Sequence, residues 1–145
     1  MEAKLFLSIR RLGTLLCVCI FVTVALYPVQ ASAAELQGTE LEEHLIAKSP
    51  WAGEWDTPGT RFYGKVVYVF ERLDGKFSAK ITEATGTTTD ATGPVLDLKV
   101  EGDTVSFVSA AGTRHEFKLT DKGGMFGKGV TRFGRDTYTR LKPAK

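Results

Sequence analysis

The chain has 145 residues, 43% of them hydrophobic and 25% charged, with a formal net charge of +2 and two cysteines. That length suits one domain rather than several. The near balance of charge gives no electrostatic footprint for nucleic acid or anionic lipid, and two cysteines cannot form a disulfide framework of several bridges.

The N-terminus reads in three parts. Lys4, Arg10 and Arg11 place positive charge first, an apolar run from Leu15 to Tyr27 follows, and Pro28 ends it. That order is a secretory signal. The run, about thirteen residues, is short of the roughly twenty that a helix needs to cross a bilayer, so no stable membrane insertion is expected. Ala31-Ser32-Ala33 and Ala34 are small residues of the kind signal peptidase accepts, which predicts a signal peptide over 1–33 and a periplasmic or secreted protein. Arg10-Arg11 is followed by Leu12-Gly13-Thr14, and Cys17 and Cys19 lie inside the apolar run. Ordinary export therefore fits better than a twin-arginine or lipid-anchored route. Removal of the signal takes both cysteines and leaves sixteen basic and sixteen acidic residues. With no Asn there is no N-glycosylation acceptor, and the absence of disulfides in a compartment that permits them points to a bacterial periplasm or medium. The remaining chain, about 112 residues, is large enough to fold by burial alone.

Residues 34–50 carry one short helix. Thr39 is placed to cap it with Glu42 reaching back, Leu41, Leu45 and Ile46 share one face, and Ser49-Pro50 stops it, since proline disfavours helical geometry in the residue before it. His44, beside Glu43, reads as part of a solvated face.

From Trp51 onward, over 51–145, the period switches to two with turn residues every eight to twelve positions, the pattern of an all-β barrel or sandwich. About eight strands are expected, near 51–55, 61–72, 76–85, 95–101, 104–110, 113–120, 124–131 and 136–141. Between them stand Pro58-Gly59, Asp74-Gly75, Gly102-Asp103, Ala111-Gly112, Lys122-Gly123 and Phe133-Gly134. Connections this short join antiparallel neighbours, so the expected fold is an antiparallel up-and-down barrel preceded by one helix. Alternation directs Leu96, Leu98, Val100, Val105, Phe107, Phe117 and Leu119 inward. The second strand is apolar on both faces from Val66 to Phe70, which predicts an outer cover supplied by the helix. The recurring Thr-Arg pairs at 60, 113, 131 and 139 are irregularly spaced and read as solvated strand positions. The stretch 84–94, rich in Thr and Gly, is expected to be a loop, either a binding loop or a plain connection.

Trp51, Gly53 and Trp55 alternate on the first strand after a short helix, and Arg140 lies on the last strand. This resembles the lipocalin (calycin) family. The resemblance implies that Gly53-Glu54-Trp55 sets its indole across the closed end of the barrel and that the Arg140 guanidinium covers it, as structural positions. It spans Trp51 to Leu141. The strands are shorter than that family's, no long loop follows the first strand and no helix follows the last, so a smaller calycin-like barrel is implied.

The chemistry-bearing motifs are few. No metal-ligand spacing, nucleophile motif, P-loop or dinucleotide fingerprint occurs, so no catalytic residue, metal or cofactor is assigned. His115 is the one polar ring that alternation places indoors, in step with Phe117 and Leu119. It reads either as a hydrogen-bonded core histidine or as a ligand-contacting or acid–base group. Tyr68, Phe70, Phe77, Phe107, His115, Phe117 and Tyr138 are the candidate lining of an interior cavity, since eight strands enclose either packed side chains or one small ligand. Three classes follow: a binding protein for a small apolar or aromatic molecule, an interaction module or inhibitor acting through Tyr63, Val67 and Val69 or through loop 84–94, and a small enzyme using His115 on a hydrophobic substrate.

Overall fold

The computed structural model describes residues 36–86 and 92–145; the expected signal peptide and the middle of the Thr-rich loop lie outside the described residues. A helix α1 (Gly38–Ala47) precedes nine strands: β1 (Trp51–Asp56), β2 (Tyr63–Leu73), β3 (Lys76–Ala84), β4 (Gly93–Pro94), β5 (Leu96–Glu101), β6 (Thr104–Val108), β7 (Arg114–Leu119), β8 (Met125–Val130) and β9 (Asp136–Pro143). Every pairing is antiparallel, in the order β4-β3-β2-β1-β9-β8-β7-β6-β5. Consecutive strands therefore pair as a meander, and β9 returns to β1. The result is a nearly closed up-and-down barrel, as the turn spacing predicts.

The seam lies between β4 and β5, which are parted only by Val95. Gly93 pairs with Ile81 and the Val95 amide donates to Ala79 at 3.0 Å, whereas Leu96 onward pairs with β6. One extended run thus crosses from β3 to β6. Asp97, at φ 52, and a register shift between Leu96 and Lys99 mark the bend. β4 is the one strand that the sequence did not signal, because Gly93 and Pro94 are both poor strand formers.

Turn chemistry explains the register. Asp74 and Gly75 both take positive φ, 50 and 74, as a two-residue type I′ hairpin requires. The last three hairpins share one design. In each, a Ser or Thr backbone bonds both ways to the residue three or four positions on, and a glycine at φ 82, 72 or 74 completes the turn. These are Ser109 with Gly112 and Thr113, Thr120 with Gly123 and Gly124, and Thr131 with Gly134 and Arg135. The hydroxyl of each first residue also accepts from the amide of the last, at 3.3, 3.2 and 3.0 Å. A left-handed glycine after a type I turn makes the bulge that lets the strands leave with native twist.

Helix α1 departs from the expectation in two ways. Its cap is Gln37, with no side-chain bond, and Thr39 lies inside the helix; the N-terminus is held instead by the Gly38 amide donating to Gly102 O at 3.0 Å. The helix also does not cover the outside of β2. Leu41 and Leu45 are buried in the same cluster as the inward side chains Trp51 and Phe70, and Trp51 Nε1 donates to Leu45 O at 2.9 Å. Arg72 at the end of β2 bridges Glu42 and Glu43. The helix therefore closes one end of the barrel, while Val67 and Val69 stay half-buried and Tyr63 is 69% exposed. His44, half-buried, has its ring 6.2 Å from that of Trp51, and burial followed by the nearby Lys48 charge lowers its pKa.

Candidate functional site

Antiparallel pairing fixes what faces the interior. On β1 and β2 the inward positions are Trp51, Gly53 and Trp55, and Val66, Tyr68 and Phe70; on β7, β8 and β9 they are His115 and Phe117, Gly127 and Gly129, and Thr137, Thr139 and Leu141. Large and small alternate across the barrel. Gly127 stands opposite Phe117 and Gly129 opposite His115. A Cβ on Gly127 would lie 2.4 Å from the Phe117 ring, and one on Gly129 would lie 3.0 Å from His115 Nδ1 and 2.5 Å from Thr137 Oγ1. The two glycines make room for the two rings.

Those rings occupy the middle of the barrel. Tyr68 reaches across to Phe107 and Phe117 at 5.5 and 5.6 Å between centroids and to His115 at 6.4 Å. Phe107, His115 and Phe117 lie 5.2 to 5.8 Å from one another. These are contact distances for aromatic rings, so no ligand fits between them. Five of the seven candidate lining residues, Tyr68, Phe70, Phe107, His115 and Phe117, are at most 2% exposed. Phe77 is half-buried and stacks on Phe70 at 5.8 Å, toward the helix end.

Tyr138 is a correction. Its neighbours Thr137 and Thr139 point inward, so Tyr138 points out, where it stacks on Phe126 at 6.0 Å. Arg140 is another. Its register partner is Glu54, not Trp55, and successive residues on a strand face opposite sides. Its guanidinium lies outside, 3.2 Å from Asp56 and 5.7 Å from the Phe126 ring centre. The basic cover over the indole that the lipocalin resemblance implies is therefore not made by Arg140. The glycine of that motif has its own reason, since a Cβ on Gly53 would lie 1.7 Å from Arg140 O.

Polarity is distributed unevenly along the barrel axis. The buried polar residues are Thr57, Ser109, Thr113, His115, Thr137 and Thr139. By strand direction all lie toward the end opposite α1: Thr57 follows β1, Ser109 follows β6, Thr113 precedes β7, and the rest belong to the first halves of β7 and β9. Ser109 and Thr113 serve their own hairpin. Trp55 Nε1 and Thr137 Oγ1, by contrast, are buried with no hydrogen-bond partner among the described residues. The Trp55 indole lies beneath Gly64 and Gly86, whose added Cβ atoms would come within 2.8 and 3.0 Å of it. Leaving a buried polar group unmatched costs about 1–3 kcal/mol, and native structures keep few of them. The end away from the helix is thus the part of the interior whose hydrogen-bonding capacity is unfilled.

Sequence reasoning missed this end because threonine on a strand reads as solvent-facing. The signal was present in the small residues of β8, Gly127 and Gly129, which leave interior volume for β7 rings and β9 hydroxyls. Among the described residues no cluster of three or more His, Cys, Asp or Glu side chains is arranged to hold a metal, and no helix is long and apolar enough to cross a membrane. Comparison with family models, with curated proteins and with solved structures finds no match.

Proposed function

We propose that this chain is an exported binding protein that holds one small ligand at the hydroxyl-lined end of its barrel, away from α1. The observation that carries the reading is the pair of buried, unmatched polar atoms, Trp55 Nε1 and Thr137 Oγ1. A ligand there needs an acceptor for the indole N–H, a polar group for the hydroxyl, and an aromatic or apolar body to lie against the ring cluster below. Export rests on the order of charge, apolar run and small residues over 1–33.

The test is a titration of the purified protein with 1-anilinonaphthalene-8-sulfonate and, separately, lauric acid, read by tryptophan emission. Trp51 and Trp55 are the only two reporters, and Trp51 is committed to the helix end. Saturable change near one ligand per chain, weakened in Thr137→Val, which keeps both reporters, supports the reading; no saturable change with either probe counts against it. A second reading, an interaction module, is favoured by one observation: Phe126 and Val130, each 41% exposed, and Phe133, 75% exposed, lie on or beside the outer face of β8.

A further inference from the structure

A groove of about 360 Å³ opens on the outside of the barrel rim, lined by Thr57, Pro58, Thr60, Arg135, Asp136 and Tyr138. It adjoins the interior end at Thr57, which is buried there, but opens on the other side of β9, because Tyr138 and Asp136 face outward from that strand. We infer that this groove binds a small organic carboxylate, with Arg135 taking the carboxylate and Tyr138 and Pro58 flanking its apolar body.

Both walls are preorganised. In the loop after β1, the Thr57 amide donates to Phe62 O at 2.9 Å, the Thr60 hydroxyl donates to Thr57 O at 2.7 Å, and the Phe62 amide donates to the Thr60 hydroxyl at 3.0 Å. In the opposite turn the Arg135 amide donates to Thr131 Oγ1 at 3.0 Å and its carbonyl accepts from the Thr131 amide at 2.9 Å. The Arg135 guanidinium lies 5.9 Å from the Phe62 ring centre, so this exposed side chain leans over the loop. A site whose walls are already fixed loses little ordering entropy on binding.

Charge selects the ligand class. Asp136 is held by Lys128, with 3.1 Å between Oδ2 and Nζ. Arg135 has no acidic partner among the described residues. The groove therefore offers one guanidinium without an acidic partner, whose planar fork matches a carboxylate, beside an Asp136 whose charge Lys128 already balances. A monoanion with a flat or short apolar body fits that arrangement better than a dianion or a cation. The volume lies at the lower end of the range for small-molecule sites.

The experiment uses benzoate as the probe and benzamide as its uncharged isostere, read by amide chemical shifts of the purified protein. Benzoate is expected to shift the amides of Thr60, Phe62, Arg135 and Asp136 saturably, while benzamide binds at least about tenfold more weakly, the loss expected for one charge-assisted contact. Arg135→Gln keeps the backbone bonds of the turn and should reduce benzoate affinity to that of benzamide; Arg135→Lys should restore part of it. Unchanged dispersion of the remaining amides verifies the fold of both variants. Absence of saturable shifts up to the solubility limit of benzoate overturns the inference, as does equal binding of benzamide or unchanged affinity in Arg135→Gln. The Trp55 indole resonance, which should not move, keeps this outcome distinct from that of the interior site.

Discussion

Gly127→Ala tests whether the middle of the barrel is packed. The added Cβ would sit 2.4 Å from two carbons of the Phe117 ring, well inside contact. That ring cannot retreat freely, because Tyr68 and Phe107 lie against it at 5.6 Å. Gly127 is not among the glycines of positive φ, so the backbone accepts alanine and the effect isolates the steric term. Overpacking costs about 1–3 kcal/mol, and up to about 1 kcal/mol is regained because alanine loses less backbone entropy than glycine. An approach of 2.4 Å takes the upper part of that range, about 2–3 kcal/mol, so with about 1 kcal/mol regained the net loss is about 1–2 kcal/mol, which lowers the melting temperature by roughly 5–10 °C in a domain this size. Thermal and denaturant unfolding of Gly127→Ala, Phe117→Leu and the double variant should show a favourable coupling above about 1 kcal/mol, since the smaller side chain relieves the clash. A Gly127→Ala protein as stable as the wild type, or a cycle additive within about 0.5 kcal/mol, would refute the packed middle.

Thr137→Val removes an unmatched buried hydroxyl while keeping a β-branched side chain, so calorimetry should show the ligand-free domain unchanged or stabilised by up to about 1 kcal/mol, and a loss above 1 kcal/mol would mean that the hydroxyl already has a partner. Trp51→Phe leaves the Leu45 carbonyl without its 2.9 Å donor and should cost about 1–3 kcal/mol, with amide exchange in α1 accelerating more than in β7. Arg140→Ala removes an exposed ion pair with Asp56 and should cost under about 1 kcal/mol, a difference that disappears at high salt. His44 should titrate below the ordinary 6.5, because burial and then Lys48 oppose its protonation. The unfolded chain then binds the proton more readily than the folded one, so stability falls as pH drops through 6.5 toward the lowered value. An NMR titration midpoint at or above 6.5 would contradict that sign.

Much of the fold was legible because turns and alternation are local. Asp74-Gly75 and the glycines at 112, 123 and 134 sit where hairpins need positive φ, and strands such as Thr104–Val108 carry a clear inward set. A regularity lay deeper than the irregular Thr-Arg pairs: Ser109, Thr120 and Thr131 recur eleven residues apart, each with a glycine three positions on. That spacing is one short strand plus one bulged turn. Non-local size matching was not legible. Thr137-Tyr138-Thr139 alternates between two amphipathic residue types, and hydrophobicity puts the tyrosine inside. The structure puts the threonines inside because they face Gly127 and Gly129 across the ladder, beside rings that already fill the space. The orientation of Arg140 depended likewise on pairing with Glu54 rather than on its own strand.

The most direct test of the binding account is native mass spectrometry of the protein purified from its own host. The account predicts a species heavier than the bare chain by one small molecule, retained in Arg140→Ala and depleted in Thr137→Val. A bare chain alone, with no occupied fraction in either wild type or Arg140→Ala under gentle desolvation, would contradict it.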